Sequence, residues 1–168
     1  MTYKDQVEKI VDEHAEKITD VARDIWEHPE VGLQEHYAAK LLMEELEKEG
    51  FSIEKDVGDM PTAFVATTGR GPLHVVICAE YDALPEVGHA CGHNVICTAA
   101  LGAGMALAPL ADELDLKLTL LGTPAEETGG GKIGFEGIEQ DPRTGDVLLL
   151  LERSHAAAHA ADELAARR

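Results

Sequence analysis

The sequence predicts an α/β protein: a three-layer α/β/α sandwich around a mixed, mostly parallel sheet. Three observations carry that expectation. Segments of helical periodicity and short apolar runs follow one another as helix, helix, strands, helix, strand, helix, which is a layered α/β order. The run Leu73-His74-Val75-Val76-Ile77-Cys78-Ala79 is almost continuously apolar, as expected of a strand covered on both faces. The residues richest in chemistry follow the ends of two such runs, where open α/β sheets place their crevices.

The elements follow in order. Val7, Ile10, Val11, His14, Ile18, Val21, Ile25 and Trp26 recur at three- and four-residue steps with acids and lysines between them, predicting an amphipathic helix. His28-Pro29 ends it, because the residue before a proline is pushed out of the helical region. A second helix is expected from about Glu35 to Glu49, with Gly50 as its cap. Strands are expected over Phe51 to Val57, Ala63 to Thr67 and Leu73 to Ala79, separated by Gly58, Pro61 and Gly69-Arg70-Gly71-Pro72. A helix rich in alanine and glycine runs from about Asn94 to Leu110, and Leu116 to Gly122 reads as another buried strand. After Gly129-Gly130-Gly131 come a strand-like Val147 to Leu151 and an alanine-rich helix from His155 to Arg168.

The chain has 168 residues, 45% of them apolar, which suits one domain with a real core. Its 32 acids against 14 bases give a net charge of −18. That balance opposes binding to nucleic acid or to an anionic membrane, both of which need positive patches. It fits a well-solvated surface or, as a sharper alternative, adaptation to high salt. Cys78, Cys91 and Cys97 are odd in number and sparse, which is no disulfide framework. The N-terminus lacks an apolar signal core, and no run is expected to reach the ~18 apolar residues of a membrane helix. A reducing cytoplasm is the expected setting.

The first loaded segment is Glu80-Tyr81-Asp82-Ala83-Leu84-Pro85, continuing to His89-Ala90-Cys91-Gly92-His93-Asn94. Thiolate and imidazole are good ligands for zinc and related ions. Gly92 frees the backbone to turn both side chains, and the helix that follows offers its N-terminal dipole to a thiolate. Spacing alone leaves a ligand cluster and an ordinary packed loop both open. The second segment is Gly122-Thr123-Pro124-Ala125-Glu126-Glu127-Thr128, followed by the glycine run. Adjacent carboxylates repel unless a cation or a shared proton compensates, and a metal site uses such a pair as one ligand and one general base. Taken alone, the pair reads more simply as a solvated acidic turn.

Together the segments resemble the aminoacylase and aminobenzoyl-glutamate hydrolase branch of the zinc-dependent exopeptidase-like amidohydrolases, a family that includes plant auxin-conjugate hydrolases and a β-alanyl dipeptidase. Glu80 to Pro85, Gly88 to Asn94 and Gly122 to Lys132 carry the likeness, with Trp26-Glu27-His28-Pro29-Glu30-Val31-Gly32 and Glu35 at the N-terminal end. It covers roughly residues 5 to 133. The resemblance implies that Cys91, His93 and Glu127 ligate a divalent metal (Zn, Mn or Co), that Glu126 is the general base and that Asp82 orients the site. It implies a supporting place for His89 and His28, and it puts Glu80 where more distant relatives carry a metal-binding histidine. Cys78 and Cys97, in apolar runs, read as core residues.

By this resemblance residues 1–140 are the N-terminal part of a catalytic domain, incomplete here. Residues 141–168 are a divergent tail, and the dimerisation or lid domain is absent. A truncated or frame-disrupted product would account for that tail. His155 and His159, one helical turn apart, read as solvated helix residues rather than ligands. The expected activity is metal-dependent hydrolysis of an amide bond in a small N-acyl amino acid or dipeptide-like substrate. Self-association could occur through an exposed sheet edge. The rivals are a non-catalytic metal-binding remnant, a protein-interaction module, and a thiol enzyme using Cys91 with His93.

Overall fold

A computed structural model describes residues 1–129 and the strand at 147–150. Helix α1 spans Tyr3–Glu27 and α2 spans His36–Lys48. Strands β1 (Ser52–Lys55), β2 (Phe64–Gly69) and β3 (Leu73–Glu80) follow, then α3 (His93–Leu107), β4 (Leu116–Thr123), the short α4 (Glu126–Gly129) and β5 (Val147–Leu150). The expected elements within these residues are all present, with ends shifted by a residue or a few. The expected helix from His155 to Arg168 falls outside the described residues, and so does the tail in which His155 and His159 lie.

Local chemistry explains the helix ends. The Thr2 hydroxyl accepts from the Asp5 amide at 3.2 Å while Asp5 Oδ2 accepts from the Thr2 amide at 2.7 Å, a reciprocal cap on α1. The helix stops at His28, before Pro29. After α2, Gly50 takes φ 84°, which costs glycine little.

The sheet is mixed, as expected, in the order β1-β2-β4-β3-β5. β1–β2 and β2–β4 are antiparallel, whereas β4–β3 and β3–β5 are parallel. Among the described residues the pairings thus divide evenly between the two senses. The short connection after β1 makes a hairpin with β2, and the parallel part lies on the side fed by the α3 crossover.

Among the described residues, α1, α2 and α3 all pack over one face. Val21, Ile25, Leu42, Leu46, Leu101 and Met105 meet Val75, Ile77, Leu118 and Leu120 there. Each of those leucines contributes about 1.5–3 kcal/mol by leaving water. β3 is buried from His74 to Glu80, on both faces, as its unbroken apolar run predicts. Val76, Cys78 and Leu121 form a second cluster on the opposite face. Cys78 and Cys97 are buried, as expected of core residues.

The stretch His93–Leu110 departs from expectation: it is long and apolar enough by length and composition to cross a membrane. Its small residues explain why it belongs to the core instead. A Cβ at Gly102 would lie 2.8 Å from Ile18 of α1, and one at Gly104 would lie 3.0 Å from Leu120 of β4. The helix is wedged between its neighbours, and 61% of the stretch is buried.

Candidate metal centre

The parallel register of β3 and β4 sets Glu80 opposite Thr123, so both loaded segments leave the sheet side by side. The Thr123 hydroxyl donates to the Ala79 carbonyl at 3.0 Å and locks the two strand ends together. Tyr81 then turns into the core, stacks on Phe64 with ring centres 6.1 Å apart, and donates its hydroxyl to the Thr62 carbonyl at 2.6 Å. Gly122 is required beneath this stack, since a Cβ there would fall 2.1 Å from the Phe64 ring.

Anchoring Tyr81 fixes Asp82, which is 1% exposed. Its Oδ2 accepts the Glu127 amide at 3.0 Å, tying the two loaded segments directly. Nδ1 of His93 lies 2.8 Å from the Asp82 carbonyl oxygen, which accepts its N–H, and 2.9 Å from Asp82 Oδ1, whose charge sits beside it. A neutral imidazole with its proton on Nδ1 keeps Nε2 as an acceptor. That nitrogen faces Glu80 Oε2 at 3.7 Å and Glu127 Oε1 at 3.8 Å. One donor atom each from His93, Glu126 and Glu127 lies within 4.8 Å of the others.

The electrostatics follow from this crowding. Burial works against charge on Asp82, but the hydrogen bond to His93, the Glu127 amide and the charge of His93 outweigh it and hold the carboxyl below its usual range. Burial also opposes charge on His93, yet Asp82 and then Glu127 raise its pKa above the ordinary value. His89 is pushed the other way, by burial and then by the neighbouring His93.

Of the residues picked from sequence, the fold brings Asp82, His93, Glu126 and Glu127 together. Cys91 departs from the expected arrangement. Gly92, at φ 83°, turns the chain so that His93 is buried and Cys91 is exposed at the rim. The Glu127 carboxylate beside it, then partial burial and the charges of Glu126 and Asp82, push the Cys91 thiol up to about 11. The helix dipole expected to favour a thiolate is thus overridden by carboxylates. His89 is buried beside the centre, and His28 stacks on Tyr37 at 4.4 Å as a supporting surface contact.

Sequence reasoning gave Glu35 no role. It is 0% exposed; its Oε2 accepts from the Thr62 hydroxyl at 2.7 Å and its Oε1 from the Ala125 amide at 2.8 Å. Ala125, just before Glu126, has φ 55°. A non-glycine residue in that region carries about 1–3 kcal/mol of strain. The only signal in the sequence was the place of Glu35 in the N-terminal segment.

A histidine and paired carboxylates beyond the carboxyl ends of two parallel strands, on an α/β scaffold, form a donor set that can hold a divalent cation. No family model matches the chain. Comparison with curated proteins finds a subunit of the p-aminobenzoyl-glutamate hydrolase of Escherichia coli, 33% identical over 80% of this chain and 32% of the relative. The Xaa-Arg dipeptidase of Mus musculus is 43% identical over 73% of this chain and 32% of the relative. Among solved structures, a dinuclear metal-binding peptidase of the M20 family from Bacillus subtilis superposes with a TM-score of 0.67 at 27% identity, over 83% of this chain and 43% of that one. The chain is thus similar in sequence to a p-aminobenzoyl-glutamate hydrolase subunit and an Xaa-Arg dipeptidase, and in fold to an M20-family peptidase, in line with the resemblance its motifs carry. It spans about a third of the length of the curated relatives it matches.

Proposed function

We propose that the chain carries metal-dependent hydrolysis of the amide bond in a small N-acyl amino acid or dipeptide-like substrate. One observation carries the reading: the Asp82 carbonyl accepts the Nδ1 proton of His93 at 2.8 Å, so that Nε2 looks toward the carboxylate of Glu127 at 3.8 Å. Such a donor set fits a divalent cation, whereas carboxylates packed this closely repel without one. His93 and Glu127 would hold the ion, with Cys91 reaching in from the rim through its contact with Glu127. Bound there, zinc, manganese or cobalt would polarise the scissile carbonyl and acidify water.

The chain's own residues do the rest. Asp82 fixes the tautomer and aim of His93. Glu126, next to the ligand Glu127, takes the proton of the attacking water and passes it to the leaving amine. The names of the relatives, a p-aminobenzoyl-glutamate hydrolase and an Xaa-Arg dipeptidase, support an amide to an amino acid as the bond cleaved. A cytoplasmic setting suits the reading, because Cys91 must stay reduced to ligate. Self-association through the outer strand β1 completes it. That short strand is mostly exposed and pairs on one side with β2, and a sedimentation coefficient that rises with concentration would support the self-association while a constant one would contradict it.

The test is release of free amino acid from a panel of N-acyl amino acids and dipeptides by the metal-loaded chain. Turnover that Glu126→Ala leaves intact would contradict the assignment.

A further inference from the structure

We propose that Glu35 is a positioning residue: it holds the turn at Ala125 in the backbone geometry that aims Glu126 and Glu127. The inference rests on the proposed reading of the centre and adds a residue which that reading does not use.

The connection between α1 and α2 reaches both halves of the centre. On one side, the Glu30 carbonyl accepts the Ala83 amide at 2.8 Å, and Val31 forms a parallel bridge with Ala83, the residue after Asp82. On the other side, Glu35 Oε1 takes the Ala125 amide at 2.8 Å, at the residue before Glu126. Gly32 lies against the same turn, where a Cβ would come within 2.9 Å of Ala125 Cα and 2.3 Å of Thr128 Oγ1. One short connection therefore sets the spacing between the Asp82 segment and the Glu126-Glu127 segment.

The choice of an acid is informative. The hydrogen-bond donors to Glu35, a hydroxyl and a backbone amide, are uncharged. Burying a carboxylate against neutral donors is less favourable than burying a methionine of similar size. Packing alone therefore gives no reason for an acid at this position. A strained backbone that must be held does: Ala125 has φ 55°, and a charge-assisted hydrogen bond to its amide is among the stronger ones available. The second oxygen, on Thr62, keeps the carboxylate from rotating away, and Thr62 is itself tied through its carbonyl to Tyr81, the neighbour of Asp82.

The experiment uses the whole 168-residue chain and compares wild type with Glu35→Met, Glu35→Gln and Thr62→Val. Two readouts are taken well below the melting temperature: hydrogen exchange at the amides of Ala125 to Glu127, and Co2+ affinity from the visible absorption of the bound ion. Glu35→Met should speed exchange at Ala125 to Glu127 while β3 keeps its protection. It should weaken Co2+ binding by about 10–100-fold, the range for groups that orient ligands. Glu35→Gln should shift both readouts in the same direction but less than Glu35→Met, since its carbonyl can accept from Ala125 and its amide donate to the Thr62 hydroxyl, without the charge. Thr62→Val should fall between wild type and Glu35→Met, and it decides the question if the methionine variant does not fold.

Exchange that rises equally across β3 and the turn would overturn the positioning role, leaving a purely structural one. So would an unchanged Co2+ affinity in Glu35→Met when wild type binds. Failure of the wild type to bind Co2+ at all would instead overturn the reading of the centre, while the exchange data still report whether Glu35 holds the turn.

Discussion

β3 and β4 present two different environments along their length. Over their middle, Val75, Ile77, Leu118 and Leu120 meet Leu101 and Met105 of α3 in a layer of aliphatic contacts. At and beyond the carboxyl end of β3, Glu80, Asp82, His89 and His93 are buried, and Glu35 is buried against the turn that follows β4. Apolar burial near the middle is favourable whatever the detailed partners, whereas buried charge is favourable only if each group finds a specific partner. The same strands thus supply a tolerant scaffold and, at one end, a site in which every hydrogen bond matters. Glu45, buried elsewhere on α2, shows the alternative: Lys17 and Lys48 meet its two oxygens at 3.2 and 2.7 Å, and it serves as an ordinary structural ion pair.

Substitutions should separate these environments. The largest effect is expected at Glu126: Glu126→Ala should lower amide hydrolysis by about 10²–10⁴-fold, the usual contribution of a general base, with little change in melting temperature. Next comes the scaffold. Leu118→Ala removes a fully buried side chain and should cost about 2–5 kcal/mol in urea denaturation, while the Co2+ spectrum of the folded protein stays the same. A changed spectrum would show that the two environments are coupled rather than separate.

Smaller effects sharpen the contrast. Asp82→Asn keeps the shape but loses the charge behind His93, and should weaken metal binding by about 10–100-fold in a titration. Glu45→Gln should cost only about 0.5–1 kcal/mol at neutral pH, because its lysine partners are half exposed. The sign of its pH dependence is set by its shift. Burial raises the Glu45 pKa, but Lys48 and Lys17 outweigh that and hold it below the ordinary carboxylate value. The contribution is therefore present above that ordinary value and lost as pH falls through the folded pKa, so wild type and Glu45→Gln should converge in acid. A gap that instead widened in acid would show that the carboxylate is not paired in the native state.

The scaffold was readable from the sequence because its signals are periodic. The three- and four-residue steps from Val7 to Ile25 marked α1, and the run from Leu73 to Ala79 marked a strand buried on both faces. The site was readable only where several unusual residues fall in one short segment, as at Asp82, His93, Glu126 and Glu127. Glu35 was not, since one acid among 32 carries no local signal and its partners lie 27 and 90 residues away. Ala125 was also hidden, because its left-handed backbone is imposed by tertiary contacts rather than announced by a glycine. For Cys91, the resemblance implied a metal ligand and the following helix a stabilised thiolate. The fold puts it on the exposed rim beside Glu127, where the nearby carboxylates raise its pKa instead.

The central claim is that Asp82, His93 and the Glu126-Glu127 pair form a metal centre. The most direct measurement is the divalent metal content and Co2+ affinity of the purified chain, wild type against His93→Ala and Cys91→Ala. A tightly held ion in the wild type, lost in His93→Ala and weakened in Cys91→Ala, is the predicted result. Equal metal content in wild type and His93→Ala, or none in either, would contradict it.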